Sequence, residues 1–170
     1  AAQPATWWRK KRDALLRLGA EHEAAYVYDE QTIDRRVAEL NGMKAVDRVL
    51  YSAKANPHPT ILKRVSAGGM GLECVSQGEL EHVLASVPGI ARERILFTPN
   101  FAPRHEYEFA LEQQVRVTLD NVHPLREWAP IFKGCELFVR IDTGRGRGHH
   151  DHVRTAGVHT KFGVPLFEVE

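Results

Sequence analysis

Lys54 ends an apolar run, "VLYSAKAN" from Val49 to Asn56. A lysine there needs a reason, because strands are poor in lysine and a buried amine is costly unless it is paired or neutral. Two readings are open. A solvated strand-end lysine asks for nothing further, whereas an amine held dry and uncharged is a nucleophile that can form an imine with a carbonyl. Glu73 poses a similar question inside "LECVS". A carboxylate in a buried strand calls for a cationic or hydrogen-bonding partner, and Arg140 and Lys54 are the candidates, with an ion pair kept only for structure as the plainer alternative. Glu79 has a simpler explanation, since Ser76 and Glu79 stand at the spacing of a helix capping box.

A second group of polar residues follows Asp142, in "TGRGRGHHDHVRTAGVHTKFG". The histidines His149, His150, His152 and His159 raise the possibility of a metal. Zinc, however, wants ligands fixed on supporting elements, and only Asp151 offers a nearby carboxylate, so no metal is assigned. "GRGRG" occurs once in a nearly neutral chain, which argues against a nucleic-acid segment, and it lacks the order of a P-loop. Four closely spaced glycines, Gly144, Gly146, Gly148 and Gly157, fit backbone freedom beside a polar ligand. A loop of this length in a compact domain is usually functional or disordered.

The elements that must position these groups repeat with a clear rhythm. Strand-like runs begin near Val49, Leu72, Ile95, Val115 and Leu137, separated by the helical patterns "HPTILKRVSAGG", "QGELEHVLASV", "RHEYEFALEQ" and "NVHPLREWAPIF". Alternation of this kind predicts parallel strands joined by right-handed crossovers, an α/β fold whose strands are covered on both faces. An open doubly wound sheet and a (β/α)8 barrel both satisfy it, but no GxGxxG follows the first strand, which weakens the dinucleotide-binding option. Each strand ends in a polar residue: Lys54, Ser76, Asn100, Asp120 with Asn121, and Asp142. In a barrel those ends share the face where catalytic groups gather, and Lys54 would look into a partly closed mouth. Residues 1–46 precede the rhythm as a helix from Thr6 over "WWRKKRDALLRLGAEH", a strand at "AAYVYD" (Ala24 to Asp29), and a linking helix that Asp29 or Thr32 starts and Leu40 ends. On the barrel reading, residues 47–170 are its first part, truncated to about five strands. The chain opens without an initiator Met and stops at "PLFEVE", so it reads as a segment of something longer.

Bulk composition narrows the partners. Of 170 residues, 43% are hydrophobic and 26% charged, as in an ordinary globular protein. Lys and Arg total 23 against 22 Asp and Glu, so no field of one sign recruits nucleic acid or an anionic membrane. Two cysteines, Cys74 and Cys135, are too few for a disulfide scaffold, and with no secretory segment or membrane-length apolar run the expected compartment is the cytoplasm.

Taken together and in order, "YSAKAN" with "PHPTILK", "GLECVSQGELEHVL", "RILFTPNFAP", "VRVTLDN", "LFVRID" and "GRGRGHHDHVRTAGVHTKFGVP" resemble the alanine-racemase-like barrel of the pyridoxal-phosphate-dependent amino-acid decarboxylases. The loop pattern of G-x-G-H, T-[AG]-G and [ST]-K-[FH]-G is similar to the diaminopimelate decarboxylase branch more than to the ornithine or arginine branch. The stretches "TWWRKKRDALL", "RHEYEFALEQ" and "LREWAPIF" resemble the decarboxylase portion of proteins that fuse this enzyme to an aspartate kinase. The resemblance implies that pyridoxal 5'-phosphate is the cofactor, that Lys54 carries it as an imine, and that Glu73 and Arg140 lie beside it. Glu73 stands where the family commonly has Asp, and Arg140 matches the arginine at the end of the fifth strand. Ser76, Glu79, Asn100 and His159 are expected to line or support the site. By the same likeness the reaction is decarboxylation of meso-2,6-diaminopimelate to L-lysine, in a homodimer acting on a small amino-acid substrate. The phosphate-binding glycine segments, the carboxylate on the pyridine nitrogen and the partner subunit's catalytic cysteine belong to regions beyond this chain. An amino-acid racemase, a polyamine-pathway decarboxylase and a non-catalytic pyridoxal-phosphate-binding barrel are the alternatives.

Overall fold

The computed structural model describes residues 6–144 and 161–169. The loop histidines, with Gly146, Gly148 and Gly157, lie outside the described residues.

The predicted first helix is two pieces, α1 (Trp7–Lys10) and α2 (Arg12–Glu21), interrupted at Lys11. Thr6 makes no side-chain cap, and neither piece buries a residue. The strand expected at Ala24 to Asp29 is absent. Those residues are irregular, with Tyr26 92% exposed, and among the described residues no strand lies beside them. Aromatic and β-branched residues favour a strand only where a neighbouring edge completes their hydrogen bonds. Helix α3 (Glu30–Asn41) begins where expected. The Asp29 carboxylate accepts the Thr32 N–H at 2.9 Å and the Thr32 hydroxyl at 2.8 Å, and it pairs with Lys11 Nζ at 2.8 Å. The Lys11 hydrogen bond, then those from Thr32, lower its pKa to about 2. Val37 enters the core, Asn41 Nδ2 donates to Gly68 O at 2.7 Å, and Arg64 reaches both Glu30 and Asp34, so α3 is docked on the helix that follows the first sheet strand.

The rhythm then appears as predicted: β1 (Leu50–Ser52), α4 (Pro59–Ala67), β2 (Gly71–Cys74), α5 (Gln77–Ser86), β3 (Ile95–Phe97), α6 (Arg104–Glu112), β4 (Arg116–Leu119), α7 (His123–Glu127) and β5 (Leu137–Val139). A separate short parallel pair joins β6 (Ile141–Asp142) to β7 (Val164–Pro165). The five strands are all parallel and stand side by side in chain order, β1-β2-β3-β4-β5. That order decides between the two architectures left open by the sequence. A doubly wound sheet reverses direction part-way, whereas unbroken sequential order is a sector of a (β/α)8 barrel.

Right-handed crossovers of one sense place α4, α5 and α6 against one face of the sheet. On that convex face Leu72, Cys74, Ile95, Phe97, Val117 and Leu119 are buried. Tyr107 of α6 is fully buried there, with ring contacts to Phe97, Trp128 and Phe132 at centroid distances of 6.2, 6.1 and 5.7 Å. Of the residues of the other parity, Glu73 and Leu96 are half-buried and Thr118 is buried. Coverage of both faces, as expected from the apolar strands, is therefore full on the convex face and partial on the other among the described residues. Gly71 admits no side chain, since a Cβ would come within 2.5 Å of the Arg94 carbonyl oxygen. No helix among the described residues is long and apolar enough to cross a membrane.

Candidate active site

The polar residues predicted to share one face do so, because parallel strands in sequential order bring all their C-terminal ends together. Lys54 does not lie in β1 itself. The chain leaves Ser52 into a single 3-10 turn, Ala53–Ala55, that buries Ala53 and exposes Lys54. The turn is pinned from two directions: Tyr51 Oη donates to Asn56 O at 3.3 Å, and His82 Nε2 lies 2.6 Å from Pro57 O. Among the described residues Lys54 has neither a hydrogen-bond nor an ion-pair partner. The dry mouth expected around it is not formed by these five strands. Among the described residues β1 pairs with β2 alone, so no strand shields Lys54 on its other side.

Glu73, in the middle of β2, faces the concave side between two hydroxyls. The register pairs Ser52 with Glu73, and Ser52 Oγ donates to Oε2 while Thr98 Oγ1 donates to Oε1. The cationic partner expected from the sequence is therefore replaced by a clamp of two neutral donors from the strands on either side. Neither Arg140 nor Lys54 touches it. A carboxylate that accepts two hydroxyl hydrogens is satisfied without a counter-ion.

Arg140 follows β5, opposite the end of β4, where Leu119 pairs with Val139. Its N–H donates to Leu119 O at 2.8 Å, and its Nη1 crosses to Asn100 Oδ1 beyond β3 at 3.3 Å. The guanidinium stacks over the Phe162 ring, 4.7 Å from the centroid. The site thus draws Phe162 in from the far side of the glycine-rich loop. Gly163 makes that approach possible, because it has φ +82° and a Cβ there would meet Asp142 N at 2.9 Å.

Ser76 caps α5 as predicted, accepting the Glu79 N–H at 3.2 Å. Glu79 reaches back to Val75 N at 2.9 Å rather than to Ser76 itself, which is a capping box shifted by one residue. Glu106 Oε2 accepts the next free donor, Gln77 N, at 3.0 Å. His159 lies outside the described residues.

Two residues have more to do here than the sequence assigned them. Asp120, noted only as a polar strand end, is 2% exposed, and its Oδ2 has no hydrogen-bond partner among the described residues. Burial raises its pKa, while the Asn121 side chain, the backbone N–H groups of Phe101 and Asp120 and the charge of Arg140 pull it back. Phe101 holds a left-handed backbone, φ +53°, with its ring 61% exposed at the rim. Only the polar residue at a strand end signalled the first, and nothing in the sequence signalled the second. Among the described residues no cluster of His, Cys, Asp and Glu could hold a metal ion.

Residues 30–170 match the family model described as "Pyridoxal-dependent decarboxylase, pyridoxal binding domain". The chain belongs to this family. Among curated pyridoxal-dependent decarboxylases, the chain is 34% identical over 146 residues to the diaminopimelate decarboxylase of Methanothermobacter thermautotrophicus, covering 82% of this chain and 33% of that protein. It is 32% identical over 153 residues to the Escherichia coli diaminopimelate decarboxylase, covering 88% of this chain and 36% of that one. A crystal structure of diaminopimelate decarboxylase superposes with a TM-score of 0.79 at 30% identity, over 92% of this chain and 37% of the other. The Helicobacter pylori diaminopimelate decarboxylase complexed with L-lysine gives 0.78 at 25%, over 91% and 41%. The ornithine decarboxylase of Entamoeba histolytica, at 20% identity and a TM-score of 0.66, shares the fold. The chain spans about a third of the length of the curated relatives it matches.

The residues present suit a pyridoxal cofactor. An accessible primary amine without a partner stands on the same rim as a guanidinium, and between their strands lies a buried carboxylate oxygen without a partner among the described residues. An aldehyde needs the first of these and an anionic substituent the second.

Proposed function

We propose that the protein to which this chain belongs is a pyridoxal-phosphate-dependent carboxy-lyase that converts meso-2,6-diaminopimelate to L-lysine. The observation that carries the reading is Lys54 on the C-terminal rim of a sequential parallel sheet, free of partners among the described residues, in a chain 32–34% identical to diaminopimelate decarboxylases. Lys54 would hold the cofactor covalently through its amine. When bound, pyridoxal phosphate supplies an electron sink for the carbanion left by departing carbon dioxide. Glu73, locked between Ser52 and Thr98, places a fixed negative charge on the concave face between the first three strands, where it favours a cationic group of cofactor or substrate. Arg140, steered by Asn100 and the Phe162 ring, offers a delocalised cation to an anionic group on the opposite side. The 3-10 turn fixes where the Lys54 amine can swing, which shortens the search for a productive geometry.

The same reading divides the chain into an N-terminal segment, 1–46, and the barrel from 47 onward, and places the whole protein in the cytoplasm as a homodimer. A fused aspartate kinase stays within this proposal, supported only by the likeness of "TWWRKKRDALL", "RHEYEFALEQ" and "LREWAPIF". The test is to incubate the full-length protein with meso-diaminopimelate and pyridoxal phosphate and to measure carbon dioxide and lysine in equal amounts. Racemisation of a small amino acid without gas release would refute the reading.

A further inference from the structure

We propose that His82 is a positioning residue for Lys54: from α5 its imidazole holds the loop that carries the amine and so fixes where the amine stands on the rim. What Lys54 does there rests on the functional reading above, but the hold itself stands on geometry. Ala53, just before Lys54, is buried, and the chain next enters the core at Ile61 and Leu62 of α4. Between those anchors Pro57 has no N–H to offer, and among the described residues the carbonyl oxygens of Asn56 and Pro57 accept no backbone hydrogen bond. Each accepts from a side chain instead, Asn56 O from Tyr51 Oη at 3.3 Å and Pro57 O from His82 Nε2 at 2.6 Å.

The two ties fix different things. Tyr51 belongs to β1, the strand that leads into the turn, and the bond from His58 N–H to Asn56 Oδ1 at 3.0 Å is local as well. Neither relates the loop to the next β/α unit. Among the described residues, the His82 bond is the only hydrogen bond that ties residues 54–58 to that unit. Packing gives the loop little support there. A groove of about 560 Å³, lined by Asn56, Pro57 and His58 from the loop and by Gly78, Glu79 and His82 from α5, lies between the two, and a Cβ at Gly78 would meet nothing within 4 Å. The helix is a firm base for the bond, because Ser76, Glu79 and Glu106 satisfy its first turn and Leu80 and Val83 beside His82 are fully buried. A carbonyl oxygen only accepts, so Nε2 carries the hydrogen, and the bond is kept whether or not Nδ1 is also protonated. His82 is exposed, and one exposed hydrogen bond adds little to the stability of the whole fold. It matters more for a loop whose amine must be held in a productive geometry.

The test uses the full-length protein and two readouts. In the apoprotein, amide hydrogen exchange of the peptide spanning residues 53–60 should be about tenfold faster in His82→Leu, which removes the donor at similar size, and close to wild type in His82→Gln, which returns an N–H at the same reach. Melting temperatures of both variants should stay close to wild type. With pyridoxal phosphate added, the rate of covalent uptake by Lys54, followed by absorbance, should fall about tenfold in His82→Leu and recover in His82→Gln. Should His82→Leu not fold, His82→Ala takes its place in both measurements. Unchanged exchange in the variant without the donor, faster exchange with a wild-type rate of uptake, or a His82→Gln protein as impaired as His82→Leu overturns the proposal. A wild-type protein that takes up no pyridoxal phosphate overturns the functional reading itself, and the exchange of the apoprotein then decides separately whether His82 holds the loop.

Discussion

Replacing Glu73 by leucine should destabilise the apoprotein although it introduces an apolar side chain of similar size into a sheet. The wild-type carboxylate accepts hydrogen bonds from Ser52 on β1 and Thr98 beyond β3, tying three neighbouring strand segments through one residue. A hydrogen bond to a charged group contributes about 1.5–3 kcal/mol when buried. Glu73 is half-buried, so water can re-solvate the abandoned hydroxyls in part, and the lower end applies to each bond. The net cost is then about 2–3 kcal/mol for both. With a urea dependence of about 1–3 kcal/mol per molar, the midpoint should fall by roughly 0.7–3 M without a change in slope. The cycle with Ser52→Ala sharpens the test. That change should cost about 1 kcal/mol in the wild type and close to nothing once Glu73 is leucine, since the bond it removes is already gone. Urea titrations followed by circular dichroism on the four proteins measure all these terms. Equal Ser52→Ala costs in both backgrounds, or a Glu73→Leu protein as stable as wild type, would refute the hydroxyl clamp.

The acid limb of stability should carry the signature of Asp29, whose pKa is depressed from 3.8 to about 2. A lowered folded-state value means stabilisation that is complete above the unfolded value and is lost as pH falls from about 4 to about 2. The melting-temperature gap between wild type and Asp29→Ala should therefore narrow over that range, and a constant gap would count against the cap. The two cysteines should part under an alkylating reagent at mildly alkaline pH. Burial, helped by the charges of Glu79 and Glu73, pushes the Cys74 thiol up to about 12, while Cys135 is exposed. Peptide mapping should find Cys135 modified and Cys74 intact.

What the sequence disclosed and what it concealed follow one physical division. Periodicity reports which residues share a face, and it placed the five strands of the main sheet, while residue type and spacing placed the Asp29 and Ser76 caps; the β6–β7 pair was not foreseen. Register and sheet order depend on contacts between distant segments. Glu73 therefore acquired Ser52 and Thr98 rather than a cation, because strand pairing selects the neighbour while charge only suggests one. The same limit explains "AAYVYD", whose strand-like composition finds no edge to join among the described residues. Lys54 was recognisable from its type and its place after an apolar run, but its 3-10 turn is set by contacts from Tyr51 and His82 that no local pattern announces. Asp120 was noted only as a strand end and Phe101 not at all, because burial and one backbone angle have no local sequence pattern.

The central claim is that the amine of Lys54 is the group that holds the cofactor. Reducing the full-length protein with borohydride in the presence of pyridoxal phosphate, then locating the pyridoxyl group by peptide mass spectrometry, tests it directly. Modification confined to Lys54 and abolished by Lys54→Ala is the predicted result, and stable labelling of a different lysine, or none, would contradict it.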